Sequence, residues 1–309
     1  MQALIEVILP VFLVIGFGYL AAWKDILSEA GVDGIVKFTQ SFAIPCLLFS
    51  AIARLDLTQD FDLRVLGSFY IGAVSGFVTG LLGARYLFDR AWPDSVAIGF
   101  CCLFSNSVLL GLVITERAYG PDALTANYAI VAIHAPFCYI IGLSVMEFVR
   151  ARGGGAGETL RKIVTAVFRN ALVIGIGLGF FVNLAGLSLP AALQDGVDLM
   201  VQAALPAALF GLGGVLVRYR PEGDLRTIAF VCAVSLVLHP AVTWGLAQAF
   251  DLSRDQMRSA VVTASMAPGI NTYLFANIYG VAKRVAASGV LIGTALSVVT
   301  TSLWLSILP

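Results

Sequence analysis

Charge is what this chain has least of. Lys and Arg number 19, Asp and Glu 19 and His 2, so charged residues make up 12% of the 309 and the net charge is zero. A soluble domain carries roughly twice that share. A balanced chain without basic or acidic runs has no footprint for nucleic acid and no charged tail for a macromolecular partner. Catalytic and nucleotide-binding signatures are missing too: there is no P-loop, HExxH, GxSxG or pair of intramembrane aspartates. The sequence therefore does not read as an enzyme, and no cofactor or metal is expected. The five cysteines (Cys46, Cys101, Cys102, Cys138, Cys232) lack metal-type spacing and sit in apolar stretches, where core packing is their expected role.

What is abundant is hydrophobicity, at 59% of residues with a mean hydropathy of +0.91. Apolar runs of about 20 residues fit a bilayer core. Ten are read along the chain: 3–22, 34–53, 65–87, 95–115, 124–148, 170–187, 191–217, 226–248, 257–278 and 285–307. Their continuity predicts helices rather than barrel strands, which alternate over short segments. "MQALIEVILP" has no basic n-region, so the first run is expected to stay as a span.

Cationic residues favour cytoplasmic loops. The loops after spans 1, 3, 5, 7 and 9 hold 13 Lys and Arg, against 5 in the others, with Lys37 near the inner end of span 2. Both termini are thus expected on the non-cytoplasmic side of the plasma (inner) membrane. The longest connection, "RARGGGAGETLRKIVTAVFRN", is basic and Gly-rich and reads as a flexible cytoplasmic linker, with 159–169 able to lie along the membrane surface.

The two sides of that linker share an order of features. Span 2 holds "QSFAIPCLLF" and span 7 "QAALPAALF", each a Gln followed by Pro-x-x-Leu-Phe at Pro45 and Pro206. Two spans later comes a polar interruption with a central Asn, "CLFSNSVLLG" at Asn106 and "SMAPGINTYLFANIYG" at Asn271. The Pro-to-Asn separations are 61 and 65 residues. Five spans per half make the second half enter from the opposite face. The expected architecture is therefore an all-α membrane protein of ten helices in two inverted repeats, 1–149 and 170–309, joined by the linker 150–169.

The interruptions need a reason, because backbone groups freed inside a bilayer cost several kcal/mol each. Two broken helices crossing near the midplane place half-helix N-termini opposite one another, each with roughly half a positive charge. Such ends can hold an anion, with the Asn106 and Asn271 amides as donors.

With these elements in place, the chain resembles the auxin efflux carrier family, which includes bacterial organic-anion transporters. The carrying residues are "SFAIPCLLFSAI" in span 2, "SNSVLLGLVI" in span 4 and "APGINTYLFANIYG" in span 9. The resemblance implies the bile-acid-symporter and sodium/proton-antiporter fold, with spans 4 and 9 crossing and an elevator-like cycle of transport and scaffold domains. It carries site roles onto Asn106, Gly111, Pro268 and Asn271. The family's Gly-x-Pro appears here as Gly111-Leu112-Val113, so the break in span 4 rests on Ser105, Asn106, Ser107 and Gly111.

Gly269, Thr272 and Tyr273 complete the expected substrate-binding set around the second break. His134, mid-span beside Pro136, joins it as an intramembrane ionisable residue, with a neutral hydrogen-bonded role equally open. Pro45 and Pro206, with Pro268, are expected to kink or break their helices. Glycine pairs at 76 and 80 and at 175 and 179 predict close helix packing and leave a homodimer face open. The function expected is secondary transport of a small mono- or dicarboxylate, auxin- or malonate-like, with a proton, sodium or no ion coupled. A sodium-coupled bile-acid-type symporter is the nearest alternative, and a membrane sensor or receptor is the alternative of another class.

Overall fold

The computed structural model describes residues 4–55, 62–150, 171–219 and 224–309. The basic linker beyond Arg150 and its amphipathic stretch 159–169 lie outside the described residues. The described chain is helical, and seven helices are long and apolar enough to cross a membrane. These are α1 (Glu6–Trp23), α2 (Glu29–Ala53), α3 (Leu63–Tyr86), α6 (Leu124–Arg150), α8 (Ala191–Leu216), α9 (Leu225–Ala249) and α12 (Lys283–Ile307). Shorter apolar helices are α4 (Trp92–Leu103) and α7 (Ala171–Leu184). The remaining segments are α5 (residues 107–119), α10 (Arg254–Ala264) and α11 (Ile270–Tyr279). Seven of the ten apolar runs thus fall on long helices, the run at 170–187 on the shorter α7, and the runs around Asn106 and Asn271 on interrupted ones.

The chain forms two compact units, each drawing on both halves of the sequence. The smaller comprises Pro10–Phe61 and Val164–Arg218, and so holds most of α1 with α2, α7 and α8. The larger comprises Met1–Leu9, Asp62–Ile163 and Tyr219–Pro309.

Within the smaller unit, glycine lets backbones meet. A Cβ on Gly175 would come within 2.5 Å of the Pro45 carbonyl oxygen, and one on Gly179 within 2.9 Å of that of Phe49. The same logic joins α1 to α8, where a Cβ on Gly18 would strike the Phe210 carbonyl and one on Gly213 that of Ile15. Pro45 follows a wide π-type turn at Thr39–Ala43, and Pro206 lies inside α8. The last carbonyls of a helix lack i+4 donors. Beyond the turn bonds that Arg54 and Leu55 make at the end of α2, Asn183 of α7 adds a donor, its amide nitrogen lying 2.9 Å from the Ile52 oxygen, 3.2 Å from that of Ala53 and 2.6 Å from that of Leu55.

In the larger unit α3 packs on α4, where Cβ atoms on Gly76 and Gly80 would meet the Cys102 carbonyl oxygen at 2.6 Å and its Sγ at 2.7 Å. Both glycine pairs named from the sequence therefore pack within the chain. Several helix starts are capped by side chains. Asp62 accepts from the Arg64 backbone N–H at 2.8 Å, and Asp224 from that of Arg226 at 3.0 Å. Ser253 and Gln256 form a reciprocal capping box at α10.

Two outcomes follow from this packing. Gly213→Ala lowers thermal stability by about 1–3 kcal/mol, since a backbone carbonyl must move. Gly16→Ala, with open space around it, changes stability by under about 1 kcal/mol. Thermal unfolding in detergent compares the two. The caps also make acid stability predictable. The Arg64 side chain, through its hydrogen bonds, holds the Asp62 carboxyl below its ordinary range, and the Thr227 hydroxyl does the same for Asp224. Depressed carboxyls contribute fully above the unfolded value of about 3.9 and lose the contribution as pH falls through the lower folded value. A melting-temperature profile should fall in that acidic window, and Asp62→Asn should flatten part of the fall.

Candidate functional site

Both interruptions read from the sequence lie in the larger unit, and the two breaks are hydrogen-bonded to each other. Helix α4 ends at Leu103, and the chain runs through Phe104, Ser105 and Asn106 before α5 begins. Helix α10 ends at Ala264, and the chain runs through 265–269 before α11. Ser105 and Pro268 pair as an isolated antiparallel bridge. The Asn106 N–H donates to the Ala267 carbonyl at 2.8 Å and the Gly269 N–H to the Phe104 carbonyl at 2.9 Å.

No proline is needed to break the first helix. Asn106 has φ −76° and ψ 61°, the inverse γ-turn geometry, and the Ser107 N–H donates back to the Ser105 carbonyl at 2.8 Å. α5 then opens on a wide π-type turn, with the Leu110 and Gly111 N–H groups both reaching the Asn106 carbonyl, at 3.2 and 3.1 Å. In the second break Pro268 brings no N–H, so nothing is orphaned there. A Cβ on Gly269 would stand 3.3 Å from the Phe104 ring and 3.6 Å from the Asn106 Cα, so a larger residue would press the segments apart.

A buried break must satisfy its polar groups. His134 of α6 lies with Nε2 3.2 Å from the Ser105 carbonyl oxygen. That oxygen can only accept, so Nε2 carries the hydrogen. The His134 ring is held edge-on by Phe104, with centroids 4.7 Å apart, and by Phe69 at 5.5 Å. Thr272 donates its hydroxyl to the Gly269 carbonyl at 2.8 Å, closing the first turn of α11.

Not every donor at the breaks is met. The first N–H groups of α5 and α11 have no carbonyl within their own helices. The Asn106 residue is 6% exposed, and neither its Nδ2 nor the Ser105 Oγ has a hydrogen-bond partner among the described residues. Two helix N-termini meet here, each with about half a positive charge. A buried amide donor without a partner among the described residues, in positive potential and with no formal charge beside it, suits an anion.

The structure therefore brings Ser105, Asn106, Ser107, Pro268, Gly269, Asn271, Thr272 and His134 to one place, with Asn271 half-buried at the start of α11. Gly111 lies one turn along α5, where an added Cβ would stand 3.5 Å from the Thr263 methyl. The Tyr273 ring packs on Tyr219, with centroids 5.0 Å apart. Pro45 and Pro206 belong to the smaller unit.

Two residues were missed from sequence. Tyr139 of α6 donates its hydroxyl to the Asn271 Oδ1 at 3.2 Å. Asn127, also of α6, is fully buried, its Nδ2 3.2 Å from the Thr115 hydroxyl of α5 and 2.6 Å from that of Thr263 of α10. It ties α6 to the segment that follows the first break and to the one that precedes the second. A phenol or amide in a hydrocarbon run was the available signal, since each demands a partner there.

Residues 3–305 match the family described as "Membrane transport protein". The chain belongs to that family of membrane transporters. Three relatives span nearly the same length. A candidate malonate transporter of Rhizobium meliloti (strain 1021) is 27% identical, covering 97% of this chain and 94% of its own. The uncharacterized transporter YfdV of Escherichia coli (strain K12) is 23% identical, covering 96% and 95%. Auxin efflux carrier component 5 of Arabidopsis thaliana is 21% identical, covering 95% and 93%. The auxin-carrier resemblance read from spans 2, 4 and 9 holds, and the family and these three relatives are named as transporters rather than enzymes.

Replacing His134 tests how the first break is held. His134→Phe keeps a ring in the aromatic cluster but removes the donor to Ser105. It should cost about 1–3 kcal/mol of stability, the penalty for losing one partner of a buried hydrogen bond. Thermal unfolding of the purified protein measures it.

Proposed function

We propose that the chain is a secondary transporter of a small organic anion, a mono- or dicarboxylate, held where the two breaks meet. The observation that carries this reading is the buried Asn106 amide nitrogen, without a partner among the described residues and placed where two helix N-termini converge. Asn271 supplies the second amide, and Ser105, Ser107, Gly269 and Thr272 shape the surrounding backbone. The names of the Rhizobium and Arabidopsis relatives lend the chemistry a range, from malonate to auxin.

In this reading residues 1–149 and 170–309 are inverted five-helix repeats joined by the linker 150–169. The interrupted segments α4–α5 and α10–α11 are the crossing fourth and ninth spans, and the protein sits in the plasma membrane with both termini outside the cytoplasm. The paired breaks lie wholly within the larger unit, and each unit draws on both repeats. That division favours an elevator-like cycle, with the larger unit carrying the anion and the smaller one as scaffold. A proton or sodium gradient, or the substrate's own, drives transport, and a homodimer is compatible with the scaffold role.

The experiment is uptake by reconstituted proteoliposomes, preceded by a thermal-shift screen of carboxylates at two pH values with and without sodium. Asn106→Ala and Asn271→Ala should each abolish uptake while leaving expression and unaided thermal stability close to wild type. Unchanged uptake in either variant would remove the site from this reading.

A further inference from the structure

Asn271 has a neighbour that decides which end of its amide faces the site. Tyr139 places its hydroxyl 3.2 Å from the Asn271 Oδ1. The phenol ring is fixed from behind: its centroid lies 5.7 Å from that of Phe100 and 6.0 Å from that of Phe104. Phe100 in turn stacks on Phe275, the centroids 4.1 Å apart, one turn into α11. The phenol therefore rests on the same aromatic cluster that joins α4 to α11, and it has little freedom to follow a swinging amide.

An Asn side chain has an accepting end and a donating end, and rotation about its last bond exchanges them. Next to a helix N-terminus, the unaided amide would turn its oxygen toward the free N–H groups, as capping residues do. That orientation would fill an anion site with the protein's own acceptor. A hydroxyl that donates to Oδ1 removes this choice and leaves the two Nδ2 hydrogens for the ligand. It also polarises the amide, since a hydrogen bond accepted at the oxygen strengthens the donors at the nitrogen.

We infer that Tyr139 is a positioning residue for substrate binding, acting through Asn271 to present its N–H groups to a carboxylate. The inference rests on the reading of the paired breaks as an anion site. Tyr139 touches Asn271, and Asn271 touches the ligand. The same helix thus serves both breaks: His134 holds the backbone of the first, and Tyr139, farther along, aims the side chain of the second.

The test uses the purified full chain with malonate and indole-3-acetate as probes. It reads probe-induced thermal stabilisation and, for whichever probe stabilises more, the KM and Vmax of proteoliposome uptake. Tyr139→Phe keeps the ring and removes only the hydroxyl. KM should rise roughly fivefold to tenfold, the worth of one hydrogen bond, with Vmax and unaided melting temperature unchanged. In an Asn271→Ser background, which offers the phenol no amide to orient, Tyr139→Phe should change affinity less than twofold. A Tyr139→Phe variant with wild-type KM overturns the inference, as does an equal loss in both backgrounds, which would mean direct contact with the ligand. If neither probe stabilises the wild type, or Asn106→Ala responds as wild type does, the anion site itself fails and the inference falls with it.

Discussion

Two backbone hydrogen bonds, from Asn106 to Ala267 and from Gly269 to Phe104, hold the larger unit's chemistry in place. Each joins a stretch of chain that has left its helix to another that has done the same. In water such stretches would bond to solvent. In hydrocarbon each unmet group costs several kcal/mol, so one break stands only because the other lies against it. The mutual dependence explains why glycine faces Phe104 at position 269, and why a histidine ring is spent on a single carbonyl.

The breaks were legible because they violate the pattern around them. Pro268, Gly269 and Asn271 interrupt an apolar run, and so do Ser105, Asn106 and Ser107. Helix type and the close glycine contacts followed from composition and spacing. What could not be read was which polar atom meets which. His134 was open between proton carriage and simple hydrogen bonding, and its bond to the Ser105 carbonyl depends on α6 lying beside the first break. Tyr139 and Asn127 escaped notice because one phenol or one amide in a long helix has many partners on paper, and only tertiary packing chooses. The division into units was hidden for a related reason. Sequence halves follow chain order, whereas compactness follows which helices touch.

The proposed site is economical in charge. Dipoles and amides attract an anion without placing a Lys or Arg in the bilayer, where a full charge is costly once the ligand leaves. Partial charges also bind less tightly than an ion pair, which suits a protein that must release what it captures.

The Asn183 amide has a consequence for how the protein is made. The carbonyls it serves at Ile52, Ala53 and Leu55 precede it by 128 to 131 residues. During synthesis the end of α2 is therefore made long before this side-chain donor exists. Lipid headgroups, water or the insertion machinery must shelter that end until α7 emerges. The smaller unit cannot be finished co-translationally from the first half alone, and its assembly has to wait for the second.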